Sequence, residues 1–374
     1  MQEIFVSVKP LVASGAAGPP DRTPAGNPAI IAGHRPVDGD HVLYSRRDIG
    51  RLALGAAAAL PGFGATAPSS VFGGVQIGAI TYSYRGITKI DDLIDALIRS
   101  GVNEVELMSA SAESEAGAPS GRGGGAGRVA GGGAGSLANA GVRPPMTGEQ
   151  LAAARNQPRA LELKQWRLSV PMSTYHTIGK RFTDSGIDLR LLCFSMNETI
   201  TDEELDYVFR MAKALGARGV TTSTQLTVAR RVAPIAESHK MPIGFHGHDN
   251  IQDPNEIGSL ESYGKALSFG KYNFVNADIG YFTAAGYDAI AFIKAHKDRI
   301  TNLHLKDRTR TRGSELSRNL PWGQGETPVK EVLLLMKQEK YPFPGNIEMS
   351  YNPPDGDSVS EVAKCVKICR EYLI

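Results

Sequence analysis

The sequence predicts an α/β protein whose main domain is a (β/α)8 barrel. After residue 75, short apolar runs typical of strands alternate with segments of helical periodicity, and this pair occurs eight times. The eight pairs occupy roughly 260 residues, close to the usual size of such a barrel. No G-x-G-x-x-G turn follows the first strand. Its absence disfavours the dinucleotide-binding doubly wound sheet, the other common arrangement of alternating strands and helices.

The strands are predicted where short apolar runs lie between turn residues. Because each run is followed by a helix, neighbouring strands are expected to be parallel. In chain order, the predicted strands cover residues 75–82, 102–108, 188–194, 218–222, 241–246, 272–278, 300–305 and 344–349.

The helices are predicted from apolar residues that recur at helical spacing. The first helix ends at Gly101, a typical C-terminal residue, and the third begins with three acidic residues, which the helix dipole favours. The predicted helices cover residues 87–100, 159–185, 202–215, 226–239, 254–268, 286–297, 328–338 and 358–372.

A glycine-rich segment interrupts the pattern after the second strand. Between Gly117 and Gly141 there are eleven glycines and almost no large apolar side chain. Such a segment cannot bury enough surface to offset the entropy lost on ordering. We therefore predict a flexible insertion over residues 111–158, inside a barrel domain that covers residues 75–374.

The first 67 residues are predicted to be an N-terminal extension with an export signal. The pair Arg46 and Arg47 precedes a short apolar stretch, residues 52–60, and an A-x-A sequence ends at Ala67. The paired arginines resemble a twin-arginine signal. We expect export to the periplasm, with an ordinary amphipathic N-terminal helix as the alternative.

Composition limits the classes of partner. The chain has 374 residues, and its 41 Lys and Arg nearly balance its 39 Asp and Glu, so the net charge is only +2. This disfavours a nucleic-acid binder that relies on charge. No apolar run reaches the ~18 residues that a membrane span needs. We expect a small-molecule carbohydrate partner, no nucleic acid and no membrane span, and a homo-oligomer remains open.

Ionisable residues stand at the ends of four consecutive predicted strands. These are His246, Asp278, His304 and Glu348, and strand ends of this kind meet at the mouth of a barrel. Taken singly, each has a structural alternative, such as a hydrogen-bonded buried histidine. Together, two imidazoles and two carboxylates suit a divalent transition metal better than Mg²⁺ or Ca²⁺. We expect one divalent ion, with Mn²⁺ favoured and Zn²⁺ or Co²⁺ as alternatives.

The second half of the chain resembles a known family. Residues 276–308, 322–325 and 346–348 are similar to the sugar phosphate isomerase/epimerase family, the xylose isomerase-like TIM barrels. The resemblance extends over about residues 75–110 and 160–374. The family includes ketose 3-epimerases, hydroxypyruvate isomerase, inosose dehydratase and, more distantly, endonuclease IV. The resemblance implies the same four metal positions.

The sequence departs from the family pattern at two positions. Many members carry Glu where His246 stands, and the epimerases use two glutamates on opposite faces of the substrate. Only Glu348 of that pair is present, which disfavours a symmetric two-carboxylate epimerase. Tyr281 stands where a histidine is common, and its phenol can donate a hydrogen bond to a substrate.

These features predict a divalent-metal-dependent sugar isomerase or epimerase. The metal would stabilise an enediolate formed by proton abstraction next to a carbonyl. Glu348 or His248 is expected to take the proton, and Lys306 to stabilise negative charge. A purely orienting hydrogen bond is the alternative role of His248.

Further side chains are candidates for binding substrate. Besides Tyr281 they are Glu106 at the end of the second strand, Arg308 and Trp322. Arg308 has the alternative of pairing with Asp307, and Trp322 that of a core or lid residue.

Three other functions stay open to different degrees. The nearest is a metal-dependent lyase or hydratase on keto-sugars or 3-keto-glycosides, because elimination starts with the same proton abstraction. A non-catalytic sugar-binding barrel would need a vestigial metal site. A DNA-repair endonuclease is disfavoured by the near-neutral charge and by only four candidate ligands.

Overall fold

Eight parallel strands form a closed barrel in the computed structural model, which describes residues 66–119, 141–142 and 144–374. They are β2 (Val75–Ile80), β3 (Glu104–Met108), β4 (Asp188–Cys193), β5 (Gly219–Ser223), β6 (Ile243–His246), β7 (Asn273–Asp278), β8 (Ile300–Leu305) and β11 (Gly345–Ile347). Each strand pairs with the next along the chain, and β11 pairs with β2 to close the ring. The predicted (β/α)8 fold is confirmed.

Short additional strands lie outside the ring. β1 (Val71–Phe72) pairs antiparallel with β2. β9 (Asp307–Arg308) and β10 (Asn319–Leu320) form a two-stranded ribbon after β8. The ribbon lies directly beyond the C-terminal end of β8, so it belongs to the end of the barrel where polar strand ends are expected to meet.

The helices occupy the predicted connections, with several shifted ends. They are α1 (Ile90–Ser100), α2 (Ser109–Glu115), α3 (Gly148–Arg155), α4 (Pro158–Ser169), α5 (Met172–Asp184), α6 (Asp202–Leu215), α7 (Leu226–His239), α8 (Leu260–Ser268), α9 (Ile279–Ala284), α10 (Ala289–His296), α11 (Val329–Glu339) and α12 (Ser358–Leu373). Gly101 ends α1 with a φ of 78°, which a residue with a side chain rarely adopts. Thr201 and Glu204 form a capping box at the start of α6.

Two helix predictions were wrong in their boundaries. The single helix predicted over residues 159–185 is α4 followed by α5, because Pro171 lacks the N–H that a continuous helix requires. The helix predicted over residues 254–268 begins only at Leu260, where Ser259 caps its N-terminus.

The predicted flexible insertion differs from the structure at both ends. Residues 111–115 belong to α2, and residues 148–155 form α3, which begins with a capping box between Thr147 and Gln150. Arg155 of α3 donates hydrogen bonds to the carbonyls of Thr199 and Ile200. Residues 120–140 and residue 143 lie outside the described residues, as does the predicted arginine signal. Within the described part of the chain, no helix is both long and apolar enough to cross a membrane.

The two faces of the barrel strands differ in polarity. Val105 and Leu107 of β3 are fully buried in one apolar core cluster with residues of the surrounding helices, such as Leu97. Glu104 and Glu106 alternate with them and are also fully buried. Because successive side chains of a strand point to opposite faces, the two glutamates face the inside of the barrel. The apolar core therefore surrounds a polar interior.

Candidate metal centre and active site

A ladder of polar side chains lines the inside of the barrel beneath the candidate site. β7, β8 and β11 contribute Asn276, Asn302 and Asn346, all fully buried. The Asn346 amide donates to Glu104 Oε2 at 2.7 Å, and the Asn302 amide donates to Asn346 Oδ1 at 3.0 Å. This network links β3, β8 and β11 across the lumen, one layer beneath the candidate ligands.

The four candidate ligands meet in that next layer. His246 ends β6, Asp278 ends β7, His304 lies in β8, and Glu348 follows β11. One donor atom from each lies within 4.8 Å of the other three. All four side chains are buried. The parallel register brings them together, since Asp278 pairs with His304, and His304 with Asn346, in the strand ladder.

Each imidazole is held through one nitrogen and presents the other to the cluster. Ser223 Oγ lies 3.2 Å from His246 Nδ1, while His246 Nε2 lies 3.1 Å from Asp278 Oδ2. His304 Nε2 lies 2.6 Å from Glu106 Oε2, and its Nδ1 faces Glu348 Oε2 at 2.7 Å. The two rings therefore direct different nitrogen atoms into the cluster.

The donor atoms fit a divalent metal ion. His304 Nδ1 and Glu348 Oε2 are buried, and neither is in a hydrogen bond of good geometry within the described residues, although they lie 2.7 Å apart. Buried polar atoms of native proteins rarely lack a partner. Two nitrogen and two oxygen donors that converge in this way suit Zn²⁺, Mn²⁺, Co²⁺ or Fe²⁺. The cluster thus has the composition and spacing of a metal site, without fixing which metal it prefers.

Lys306 places a cation among these donors. Its Nζ lies 2.6 Å from Asp278 Oδ2, 2.9 Å from Glu348 Oε2 and 4.2 Å from the centre of the Tyr281 ring. Burial by itself lowers the pKa of Lys306, but the two carboxylates outweigh it and the pKa is raised. The ammonium therefore faces the carboxylates of the cluster.

The charged neighbours also shift the pKa values of Asp278, Glu348 and His304. Burial raises the pKa of Asp278 and Glu348, but Lys306 and the neighbouring histidines more than reverse this, and both pKa values are lowered. For His304, burial lowers the pKa, yet Glu106 and Glu348 raise it to about 10. Asp278, His304, Lys306 and Glu348 are thus held in their charged forms by their neighbours when no other cation is present.

A pocket lies directly against the cluster. Its free space, counted together with the open mouth, is about 440 Å³. His246, His304 and Glu348 line its polar side, together with His248 and Tyr281. Its less polar side is formed by Ile80, Tyr82, Met108 and Cys193.

His248 and a glutamate from the loop after β6 form a pair at the pocket wall. Glu256 Oε1 lies 3.0 Å from His248 Nδ1. With a proton on Nδ1, the ring donates a hydrogen bond to the carboxylate, and Nε2 is left as the basic nitrogen. The His248 ring lies edge-on to Tyr281, with 5.4 Å between the ring centres.

The residues predicted to bind substrate lie in different places. Tyr281 lines the pocket. Burial raises its pKa to about 12 despite the opposing effect of Lys306 and Arg308. Trp322 is partly buried against the apolar core and does not line the pocket.

Glu106 and Arg308 are both fully buried, and neither lines the pocket. Glu106 lies beneath the cluster and contacts His304 instead of the pocket. Arg308 Nη2 contacts Ser317 Oγ at 2.6 Å and Asp249 Oδ2 at 3.3 Å. Arg308 does not form an ion pair with Asp307, which was the alternative role expected from the sequence. Asp307 instead accepts hydrogen bonds from backbone N–H groups of residues 323, 325 and 327.

Comparison with known proteins relates the second part of the barrel to a family. Residues 203–369 match the family model of the xylose isomerase-like TIM barrel. The match runs from α6 to α12. No curated protein sequence matches the chain.

Solved structures share the fold of this barrel at low sequence identity. The probable 3-DHS dehydratase AsbF of Bacillus anthracis has a TM-score of 0.52 and 11% identity, covering 78% of this chain and 98% of that one. The 3-keto-D-glucoside 4-epimerase YcjR of E. coli has a TM-score of 0.52 and 8% identity, covering 79% of this chain and 99% of that one. The IOLI protein, solved with a zinc atom, has a TM-score of 0.51 and 12% identity, covering 80% of this chain and 99% of that one. At these identities the likeness shows the fold alone.

Several residues of the candidate site were missed by sequence reasoning. Ser223 ends β5 beside His246, and Glu256 reaches His248 from eight residues along the chain. Tyr82 and Met108 follow or end the first two barrel strands and line the pocket. The position of Ser223 at a strand end could have marked it, whereas no local pattern marks Glu256.

Proposed function

We propose that this barrel is a divalent-metal-dependent sugar isomerase or epimerase that works by proton transfer next to a carbonyl group. The observation that carries the proposal is the convergence of His246, Asp278, His304 and Glu348 at the inner end of a pocket with a second histidine in its wall. A metal ion bound by these four residues would act as a Lewis acid on the carbonyl oxygen of the substrate.

The protein residues supply the proton transfer. In the proposed step, His248 Nε2 takes the proton from the hydroxyl-bearing carbon beside the carbonyl. The C–H electron pair forms a C=C bond, and the C=O π pair moves onto the carbonyl oxygen. Glu256 keeps His248 Nδ1 protonated and stabilises the imidazolium that forms. The hydroxyl proton then passes to the former carbonyl oxygen, and His248 returns its proton to the former carbonyl carbon, which completes an isomerisation.

Glu348 is less suited to act as the base. Its Oε2 is directed at the cluster and the Lys306 ammonium, and its Oε1 accepts a hydrogen bond from Ser350 Oγ at 3.1 Å. Its pKa is lowered well below its ordinary value of 4.5, because Lys306 and His304 outweigh burial. We therefore assign Glu348 to metal binding and His248 to proton transfer.

The substrate is proposed to be an unphosphorylated keto-sugar. Of the described residues, those that line the pocket include no Arg or Lys, the side chains that usually bind phosphate. The less polar side, with Tyr82 and Met108, provides apolar surface for the C–H groups of a sugar ring.

Elimination is the second candidate, and one observation favours it. The pocket wall offers one histidine base in His248, whereas epimerisation by two bases needs a group on each face of the substrate. After the same proton abstraction, a lyase or hydratase expels a hydroxyl or alkoxyl group from the next carbon. The AsbF dehydratase and the YcjR epimerase share the fold, so the fold is compatible with either outcome.

Metal content and proton exchange together test the proposal. Purified wild type is expected to hold about one divalent ion per chain, and His304→Ala to lose it. His176→Ala, which changes an exposed histidine on α5, is the matched control and should retain the metal. Failure of the wild type to hold or take up Mn²⁺, Zn²⁺ or Co²⁺ would contradict both the isomerase and the lyase.

The reaction type is then read from deuterium incorporation. Keto-sugars incubated with the enzyme in deuterated water should gain deuterium at the carbon next to the carbonyl, as detected by NMR. A product that has lost water or an alcohol relative to the substrate would identify a lyase. His248→Asn should slow exchange by roughly 10²-fold or more while retaining the metal.

Export to the periplasm remains a proposal that rests on the sequence alone. Its support is the order of Arg46, Arg47, the apolar stretch and Ala67. The paired change Arg46→Lys, Arg47→Lys should leave the protein in the cytoplasm at its precursor size. Fractionation of cells that make the two forms would check this.

A further inference from the structure

We propose that Glu106 is a positioning residue that determines which nitrogen atom of His304 faces the metal. This inference rests on the metal-dependent function proposed above. Glu106 Oε2 lies 2.6 Å from His304 Nε2, and both side chains are buried. The carboxylate accepts the Nε2–H of the ring, which leaves Nδ1 with a lone pair directed at the cluster.

The Glu106 carboxylate is itself fixed from three directions. The Asn302 amide donates to Oε2 at 2.9 Å, the Thr221 hydroxyl donates to Oε1, and the Asn276 amide donates to Oε1 at 3.3 Å. These donors come from β8, β5 and β7. An acceptor held by three strands cannot turn away from His304 without breaking several buried hydrogen bonds.

One neighbour competes for the same ring nitrogen. The Asn276 amide also lies 3.0 Å from His304 Nε2. The amide N–H group could donate to Nε2 only if that nitrogen carried no proton, whereas a carboxylate oxygen at 2.6 Å needs a proton on Nε2, because two acceptors do not bond to each other. The closer contact places the proton between His304 and Glu106. A carboxylate on the second nitrogen of a metal-binding histidine fixes its tautomer and raises its basicity.

The opposite side of the ring agrees with this assignment. His304 Nδ1 faces Glu348 Oε2 at 2.7 Å without hydrogen-bond geometry. A bound divalent ion would displace any proton from Nδ1, so that both atoms could bind the same ion. If Nδ1 carried the proton instead, the ring would offer Nε2, which faces Glu106 and lies away from Glu348.

Glu104 provides a matched control on the same strand. It lies two residues before Glu106, is also fully buried and faces the same lumen. Its carboxylate bonds to Asn346 instead of a histidine. Burial raises its pKa to about 8, so Glu104→Gln replaces a largely neutral group near pH 7 and is expected to fold.

The experiment compares wild type, Glu106→Gln and Glu104→Gln. Zn²⁺ affinity is measured by competition with a chelator, and folding of the metal-free proteins by circular dichroism. Glu106→Gln should weaken Zn²⁺ binding by about 10- to 100-fold, whereas Glu104→Gln should change it by less than about threefold. Equal affinity of Glu106→Gln and wild type would overturn the inference and leave the metal-dependent function intact. An equal loss in both variants would also overturn it, because it would indicate general damage to the lumen.

A spectroscopic signature separates positioning from a general effect of charge. In ¹⁵N-histidine-labelled wild type, the His304 Nε2–H proton should appear as a strongly downfield signal that is protected from exchange. The absence of this signal from the spectrum of His304→Gln would assign it to His304. The signal should persist in Glu104→Gln and disappear in Glu106→Gln.

The wild-type spectrum decides the case even if Glu106→Gln does not fold. A Zn²⁺-loaded spectrum with the metal on Nε2 and the proton on Nδ1 of His304 would overturn the inference. If the wild type binds no divalent ion at all, the proposed function fails and the positioning role fails with it.

Discussion

The inner and outer faces of the same barrel strands are built on opposite principles. On β3, Glu104 and Glu106 face the lumen, while Val105 and Leu107 belong to the apolar core, and all four are fully buried. The lumen side is held by directional contacts, such as the 2.6 Å contact from Glu106 to His304. The outer side is held by close packing, which has no preferred direction.

This difference separates the tasks of positioning and stabilising. Directional contacts fix where a donor atom points, but each leaves a costly buried group when its partner is removed. Apolar contacts contribute stability without fixing the orientation of any polar atom. Changes in the lumen should therefore affect metal binding or the way in which stability depends on charge and pH, and changes in the outer layer should affect stability without changing metal binding.

The largest effect on stability is expected from Lys306→Met in the metal-free protein. The change removes the cation that lies within 3 Å of both Asp278 and Glu348, and it leaves two buried carboxylates facing each other. Loss of one partner from a buried ion pair usually costs about 3–5 kcal/mol. Urea denaturation of the metal-stripped protein would measure the free energy of unfolding.

The matched control is an exposed lysine. Lys265 pairs with Glu261 at 2.7 Å on the surface of α8, so Lys265→Met should cost less than about 1 kcal/mol. A Lys306→Met protein as stable as wild type would show that Lys306 does not neutralise the cluster. Saturating Zn²⁺ should recover part of the lost stability of Lys306→Met, because the ion supplies the missing positive charge.

Leu107→Ala tests the outer face of the same strand. Leu107 is fully buried, and truncation of such a leucine typically costs about 3 kcal/mol through lost contacts and a cavity. Because Leu107 faces away from the lumen, Zn²⁺ affinity of the folded variant should stay within about twofold of wild type. Chelator competition checks the affinity, and urea denaturation checks the stability. A large fall in Zn²⁺ affinity would mean that the two faces are not independent.

The contrast between the faces explains what could be predicted from the sequence. The strands and helices follow from local periodicity, and the four candidate ligands from the rule that polar residues at strand ends meet at the barrel mouth. Glu106 was assigned to substrate because strand interiors were assumed to be apolar. Its contact to His304 joins residues 198 positions apart, and no local pattern encodes such a distance.

Contacts made by loop residues also could not be predicted from local sequence patterns. Glu256 lies in the connection after β6, and only the folded loop brings it within 3.0 Å of His248. The break at Pro171 was accessible, since proline lacks the N–H needed inside a helix. Helices α2 and α3 flank a glycine-rich stretch whose composition dominated the prediction for the whole segment.

The smallest expected effect is a change in pH dependence when Glu104 is replaced by Gln. Burial raises the pKa of Glu104 from its ordinary value of 4.5 to about 8, against the lowering effect of Arg190. Between these two pH values the folded protein holds a proton that the unfolded chain has released. The stabilising contribution of that proton is complete below pH 4.5, and it decreases as the pH rises toward the folded-state pKa.

Wild type should therefore lose stability relative to Glu104→Gln as the pH rises. The difference in unfolding free energy should change by about 1.4 kcal/mol per pH unit between about pH 5.5 and 7.5. Urea denaturation of both proteins in parallel isolates this group, because every other titrating residue is common to the two. Parallel stability curves would place the pKa of Glu104 near its ordinary value, and the lumen would then be more hydrated around β3 than its burial implies.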